Sequence, residues 1–186
     1  LMKPQSPVVG TGVEGIAAKA AGHAIVAEEA GKVTYVDAEN ITVVYDSGKK
    51  SKYQLHIYER SNQATCFNMS PRVESGKRIR KGQVIADGAS IENGELALGR
   101  NLKVAYMAWK GYNFEDAVII SDRVVREGLY DSIHIESYTT DMRDTKLGAE
   151  TITRDIPNVG EAKLKDLDAD GIVRLGATVH EGDILA

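Results

Sequence analysis

The amino-acid sequence predicts a mainly β protein with a few short helices. Glycine and β-branched residues dominate the chain, three strand-like segments follow one another with turn residues between them, and helical periodicity is scarce. The expected helices are too short to form a layer that could cover a parallel sheet, so a doubly wound α/β fold is not expected.

The first strands are predicted from β-branched and aromatic residues bounded by turn residues. Segments 31–37, 40–46 and 51–57 have this composition, and an Asp-Ser-Gly turn ending at Gly48 separates the second from the third. Short antiparallel strands joined by tight turns form a meander. A polar loop is expected to follow over residues 58–72.

Three later segments also have strand character. Segments 102–108 and 117–120 are short apolar runs, which is typical of buried strands. Segment 131–142 alternates, so Ile133 and Ile135 share one face. We expect strands at these positions.

Two helices are predicted from their capping residues. Ser121 is a good N-cap for a helix that Gly128 can end in a left-handed conformation. Asn158, with Glu161 three residues later, resembles a capping box and predicts a second helix that runs to about Leu167.

The chain contains an internal repeat. Segments 73–86 and 173–186 align without gaps and share the pattern V-x-x-G-x-x-[IV]-x-x-G-x-[VI]-[IL]-A. Two glycine turns around a short β-branched strand occur in barrel-sandwich hybrid folds, including biotinyl and lipoyl carrier domains. A carrier needs a lysine at a hairpin tip, usually beside methionine, and only Met2 has an adjacent lysine, Lys3. The carrier interpretation is therefore the weaker one.

Composition excludes several classes of protein. With 186 residues, 42% hydrophobic and 27% charged, the chain is not a disordered tail, a collagen or a coiled coil.

Its net charge of −4 combines +4 over residues 1–110 with −8 over residues 111–186. The densest basic cluster, at 77–81, is interpreted as a solvated hairpin. A single cysteine, Cys66, excludes an internal disulfide, and no apolar run is long enough to span a bilayer, so a soluble chain in a reducing compartment is expected.

The strongest candidate for chemistry is the pair Glu115 and Asp116. Adjacent carboxylates on an extended chain point to opposite faces, so both can enter one site only if the backbone bends, and Gly111 and Asn113 make a bend plausible. Because Mg²⁺ takes only one or two protein carboxylates besides waters and phosphate oxygens, one inward carboxylate would suffice. An ordinary surface pair is the open alternative.

A second candidate is the loop that begins Arg60-Ser-Asn-Gln. An arginine beside short amides and hydroxyls suits a phosphate or ribose contact, and a well-bonded turn has the same composition. The four histidines show no metal-ligand spacing, and the chain has no glycine-rich phosphate loop.

These motifs occur together in an order that is found in one family. The chain resembles the central part of the bacterial DNA-directed RNA polymerase β subunit, before the flap region. The resemblance covers essentially the whole chain. The matching segments are Pro7-Val-Val-Gly-Thr-Gly12, Arg60-Ser-Asn-Gln63, Gly82-Gln-Val-Ile-Ala-Asp-Gly88, Gly94-Glu-Leu-Ala-Leu-Gly-Arg-Asn101, Gly111-Tyr-Asn-Phe-Glu-Asp116, Arg143-Asp-Thr-Lys-Leu-Gly148, Thr153-Arg-Asp-Ile-Pro157 and Gly182-Asp-Ile-Leu185.

The resemblance implies part of a double-psi β-barrel with barrel-sandwich-hybrid-like segments, cut from a much longer cytoplasmic, nucleoid-associated subunit. Three segments are expected. Residues 1–72 would form the meander, the polar loop and the start of the barrel region. Residues 73–120 would hold the first repeat and barrel strands with the Gly-Tyr-Asn-Phe-Glu-Asp motif. Residues 121–186 would hold short helices, a strand and the truncated second repeat.

For function, the resemblance implies nucleotidyl transfer in transcription, with Mg²⁺ ions at the reacting phosphate and the primary ion held by the β′ subunit. Glu115 and Asp116 would be the catalytic carboxylates, with Asp116 acting weakly or indirectly on the second Mg²⁺. Arg60, Asn62 and Gln63 would contact the nucleotide or RNA.

The implied partners are the β′, α, ω and σ subunits, the DNA template, RNA and nucleoside triphosphates, with no membrane. The isolated chain would be inactive because it lacks the primary metal ligands. The alternative is a non-catalytic structural or interaction module that binds another subunit or a transcription factor.

Overall fold

The computed structural model describes residues 1–186, which divide into two compact units, Leu1–Glu136 and Ser137–Ala186. The chain is 25% strand and 9% helix, with antiparallel pairing, so the prediction of a mainly β fold with few short helices is confirmed. No helix has the length and apolar character needed to cross a membrane. The double-psi barrel and the three-segment division stay predictions.

Two helices and eleven strands make up the first unit. The helices are α1 (Glu14–Ala20) and α2 (Asp122–Arg126). The strands are β1 (Ala24–Val26), β2 (Gly31–Val36), β3 (Asn40–Tyr45), β4 (Lys50–Gln54), β5 (Glu59–Arg60), β6 (Cys66–Phe67), β7 (Ser70–Pro71), β8 (Arg78–Ile79), β9 (Val84–Asp87), β10 (Ile91–Glu92) and β11 (Glu95–Leu96). They form a four-stranded sheet, β4-β3-β2-β8, a three-stranded sheet, β1-β9-β7, and two hairpins, β5-β6 and β10-β11.

The predicted meander is confirmed as strands β2, β3 and β4. Strand β3 pairs with both neighbours and alternates between a buried and a half-buried face. Its inward residues Ile41, Val43 and Tyr45 are at most 2% exposed. They pack with Ile79 of β8 and Ile85 of β9 in the main hydrophobic cluster, so the first repeat helps to close the core.

The two repeat copies share their turns but not their strand pairing. All four of their pattern glycines have positive φ, at 84° and 76° in the first copy and 81° and 90° in the second. Equivalent amides close the turns, namely Lys77 to Glu74 and Gln83 to Arg80 in the first copy, and Ala177 to Arg174 and Asp183 to His180 in the second. Only the first copy contains strands, because only it has neighbouring strands to pair with; the second has one isolated bridge, Leu167 with Val173.

Helix α2 follows the prediction. Ser121 lies in extended backbone, and its side chain accepts a hydrogen bond from the Arg123 amide. At the other end Gly128 has φ of 57°, and its amide donates to the Val125 carbonyl. Local capping residues were sufficient to predict both ends, and at the C-terminal end the Lys3 side chain also donates to the carbonyl of Glu127.

The strands predicted at 102–108 and 117–120 are wrong, and 131–142 is not a strand. All three segments lack regular structure apart from an isolated bridge between His134 and Thr65. A strand needs a hydrogen-bonded neighbour, and for 102–108 and 117–120 the chain supplies none. Their apolar residues are therefore largely exposed, including Val104 and Val118.

The second unit contains two short strands and one helix. These are β12 (Asp144–Thr145), β13 (Gly148–Ala149) and α3 (Glu161–Leu164). The helix begins later than the capping-box prediction, because its N-cap is Gly160 and Asn158 has a left-handed φ of 62°. Asparagine tolerates the left-handed conformation and is common in turns. Asn158 is therefore a turn residue here and does not cap the helix.

A pair of adjacent valines tests the register of β3. Val43 is fully buried, whereas Val44 lies on the half-buried outer face. Val43→Ala should lower the free energy of unfolding by about 2 kcal/mol, because it removes two methyl groups from a packed core. Val44→Ala is the matched control and should cost less than about 1 kcal/mol. Urea unfolding followed by far-ultraviolet circular dichroism measures both, and equal losses would contradict this register.

Candidate functional site

Ser61 organises the loop between β5 and β6. It is 4% exposed, and its amide donates to the Thr65 carbonyl at 2.8 Å. Its hydroxyl oxygen accepts from the amides of Thr65 at 3.0 Å and Gln63 at 3.3 Å. Ala64 completes the turn with φ of 59°. The loop is therefore a tight, internally bonded turn, and sequence reasoning named its neighbours but missed Ser61 itself.

The Arg60 side chain is exposed, but a hydrogen bond holds its guanidinium in one orientation. It pairs with Cys66 across the β5–β6 hairpin, and its Nε donates to the carbonyl of Ile135 at 3.0 Å. The Ile135 amide in turn donates to the Ala64 carbonyl at 2.8 Å, so segment 133–136 braces this hairpin. The terminal nitrogens of Arg60 have no partner in the chain, which leaves them able to meet a carboxylate or phosphate.

Asn62 and Gln63 lie at the tip of the same turn. Both side chains are exposed, and neither makes a hydrogen bond within the chain. Backbone bonds to Ser61 hold the turn without using these amides. The turn thus brings Arg60, Asn62 and Gln63 together as three uncommitted polar groups.

The bend expected near Gly111 and Asn113 is present. Lys110 and Gly111 have φ of 50° and 75°, and residues 110–113 form a turn. The Asn113 side chain clamps it, because its Oδ1 accepts from the Trp109 amide at 2.9 Å and its Nδ2 donates to the Met107 carbonyl at 2.7 Å. An Asx-type clamp fixes this turn without any regular secondary structure.

Glu115 and Asp116 follow directly on this turn. Glu115 has φ of 56°, a left-handed conformation that non-glycine residues rarely adopt. The backbone therefore leaves the extended form in which adjacent side chains point to opposite faces. Both carboxylates are exposed and make no hydrogen bond or ion pair in the chain. Such backbone conformations occur at functional sites and also in ordinary turns, so Glu115 and Asp116 remain candidates on the strength of their free carboxylates.

The polar side chains at 60–63 and the carboxylates at 115–116 do not contact each other through hydrogen bonds or ion pairs, and they do not form a complete metal-binding site. No hydrogen bond or ion pair connects the turn at 60–63 with residues 115–116. Within residues 1–186, no group of three or more His, Cys, Asp or Glu side chains could hold a metal ion. Mg²⁺ in proteins usually keeps several waters and takes only one or two carboxylate ligands. The Asp116 carboxylate could therefore be one ligand of an ion whose other ligands lie outside this turn.

A cleft of about 660 Å³ lies next to the β5–β6 hairpin. Thr65, Cys66 and Phe67 line one part of it, and Arg72 and Asp87 line another. Asp87 is only 2% exposed and is fully engaged, since it accepts from Arg72 Nε at 2.6 Å and from the Asn93 and Gly94 amides at 2.7 Å. This carboxylate braces the wall of the cleft and is not available to a ligand.

Comparison with known proteins identifies a common family. Residues 26–186 match the family described as RNA polymerase Rpb2, domain 6. Over the whole chain, proteins named DNA-directed RNA polymerase subunit beta from Corynebacterium jeikeium and Thermosynechococcus vestitus are 55% identical over 185 residues. The one from Syntrophus aciditrophicus is 53% identical over 192 residues. The chain spans only 16%, 17% and 14% of the length of these three relatives.

The single tryptophan reports on the clamp at Asn113. Asn113→Ala removes both side-chain hydrogen bonds, each worth about 1 kcal/mol, so the turn should open and Trp109 should become more accessible. Acrylamide quenching of tryptophan fluorescence should then increase from the value set by a half-exposed ring. Asn62→Ala, which removes an unbonded amide, should leave quenching unchanged. Unchanged quenching in Asn113→Ala would disprove the clamp.

Proposed function

The chain belongs to the RNA polymerase β-subunit family, and from that premise we propose that it supplies the part of the active centre that handles the incoming nucleoside triphosphate, the second Mg²⁺ and the RNA 3′ end. The observation that carries the proposal is the pair of braced turns. One turn presents the terminal nitrogens of Arg60, which have no partner in the chain, and the other presents the unpaired carboxylates of Glu115 and Asp116.

Arg60 suits the phosphates of the nucleotide. Its Nε is held by Ile135, so the guanidinium is orientated before a ligand arrives and loses less conformational freedom on binding. The free edge offers paired donors that match phosphate oxygens. Asn62 and Gln63, on the same turn, are placed to add neutral hydrogen bonds to sugar or phosphate.

Asp116 suits a supporting role at the second Mg²⁺. When bound, the two ions stabilise the attacking and leaving oxygens of phosphoryl transfer. Within this chain the contribution is one carboxylate, acting directly or through a water, with Glu115 adding negative charge beside it. The exposure of both groups supports a site that is completed by other parts of the polymerase.

The wider proposal follows from the family. In the assembled enzyme we infer nucleotidyl transfer on a DNA template, partners that include β′, α, ω and σ, and a bacterial cytoplasmic, nucleoid-associated location. Strands of the chain would complete a double-psi barrel with hybrid-like segments. Segment 102–120, which has no strand in this structure, supports this, because its exposed apolar side chains would be buried if parts of it paired with strands from elsewhere.

The same segment favours a second candidate function, a structural or interaction module. Nine large apolar residues between 104 and 120 are 47% to 97% exposed. They are Val104, Tyr106, Met107, Trp109, Tyr112, Phe114, Val118, Ile119 and Ile120. Contiguous exposed apolar residues mark interaction surfaces, and here the partner would be another part of the polymerase.

Charge removal at the carboxylate pair tests the proposed role in the assembled polymerase. Asp116→Asn should reduce elongation at limiting Mg²⁺ by about 10- to 100-fold, as substitutions of metal-supporting groups do, and excess Mg²⁺ should restore part of the rate. Glu115→Gln is the matched neighbour and should cost less. Subunit assembly, followed by gel filtration, should be unchanged. Normal elongation by Asp116→Asn at limiting Mg²⁺ would defeat the proposal.

Two measurements on the isolated chain test the two candidate functions in turn. We expect no Mg²⁺-dependent nucleotide incorporation by the pure chain, because its own carboxylates cannot hold the primary ion. If the apolar segment 102–120 makes the contact, the chain should retain as much β′ in a pull-down at high salt as at low salt. Incorporation by the pure chain would contradict the proposed division of roles, and loss of β′ binding at high salt would contradict an apolar contact.

A further inference from the structure

The outer face of the four-stranded sheet carries an aligned set of basic side chains. In antiparallel sheets, directly paired residues share one face. Arg78 pairs with Lys32, Lys32 with Val44, and Val44 with Lys50, so these residues form one row across all four strands. The inward residues Ile41 and Val43 are fully buried beneath them.

A second row adds an aromatic ring. Tyr35 pairs with Thr42, and Thr42 pairs with Lys52, after a bulge in β2 shifts the register. The Tyr35 side chain is 52% exposed, and its hydroxyl donates to Asp37 at 2.7 Å, which fixes the ring. We call the set Lys32, Tyr35, Lys50, Lys52 and Arg78 the basic face.

Spacing on the basic face suits a chain of phosphates. Lys32 and Lys50 lie on strands separated by one other strand, so their backbones are about 10 Å apart, and Lys50 and Lys52 are about 7 Å apart along β4. All three lysines are exposed and have no carboxylate within ion-pair distance. They can meet an external polyanion without first breaking an internal contact.

Three acidic groups around the basic face are already engaged, whereas Glu39, in the loop between β2 and β3, is exposed and its carboxylate is unpaired. Asp46 holds Arg78 at 2.6 Å, Asp37 holds the Tyr35 hydroxyl, and Glu28 pairs with Lys49 in the neighbouring turn. Each lies in a turn at the edge of the sheet. The centre of the face therefore carries positive charge beside an exposed aromatic ring, which is the combination that binds single-stranded nucleic acids.

We propose that the basic face binds a single-stranded nucleic acid, with phosphates at Lys32, Lys50 and Lys52 and one base stacked on Tyr35. A single strand is favoured over a duplex because only an unpaired base can offer its ring to the tyrosine. The proposal does not depend on the roles of Arg60 and Asp116, which lie outside this sheet.

The test measures fluorescence anisotropy of a labelled 12-nucleotide oligouridine with the full chain. Three phosphate contacts predict that the logarithm of affinity falls with the logarithm of salt with a slope of about −2. Changing Lys32, Lys50 and Lys52 together to Gln should weaken binding about tenfold or more and flatten that slope. Changing Lys77, Arg80 and Lys81 to Gln removes the same charge from the residues that flank strand β8 and should change affinity less than twofold.

Tyr35 gives an independent readout. Tyr35→Ala should weaken oligouridine binding about fivefold or more, whereas Tyr35→Phe, which keeps the ring and loses only the hydrogen bond to Asp37, should weaken it less than twofold. Binding of a 12-base-pair duplex DNA should be insensitive to Tyr35→Ala. No binding of oligouridine, equal losses in the two triple variants, or an unchanged affinity in Tyr35→Ala would each overturn the proposal. Circular dichroism confirms that every variant is folded.

Discussion

Burial of one face of β3 is the constraint on which the larger unit depends. Ile41, Val43 and Tyr45 alternate along the strand, and a slip of one residue would move all three into water. This fixes the pairing of β2 and β4, and through β2 it fixes the position of β8 in the first repeat. The hydroxyls of Tyr45 and Tyr53 are hydrogen-bonded to each other, and burial, with this bond, raises the pKa of Tyr53. The same register turns the lysines of the outer face toward solvent.

Local chemistry made much of this fold predictable. The meander, the capped helix α2 and the glycine turns of both repeats depend on residues close together in sequence, and each was predicted correctly. Segments 102–108 and 117–120 show the limit of such reasoning. Apolar composition indicates that a segment will be buried against something, but a strand also requires a hydrogen-bonding neighbour, and this chain supplies none there.

In the candidate site, too, features that depend on neighbouring residues could be predicted from the sequence, and features that depend on residues far apart could not. The bend at Gly111 and Asn113 depends on residues within one turn, so it could be predicted from the sequence, whereas the two side-chain hydrogen bonds of Asn113 are seen only in the structure. The bracing of Arg60 by Ile135 joins positions 75 residues apart, and the role of Ser61 depends on its burial. Neither could be deduced from a motif. The chain spans about one sixth of the length of the polymerase β subunits that it resembles.

The central claim is that the turns at Arg60 and at Glu115–Asp116 face one nucleotide in the assembled polymerase. Photo-crosslinking tests it most directly, with a nucleoside triphosphate that carries a photoreactive group on its γ-phosphate, followed by peptide mapping. Since that group can reach only nearby side chains, the account predicts labelling in both segment 59–67 and segment 110–117, and competition by unmodified nucleotide. Labelling that spares both segments while the enzyme is active would contradict it.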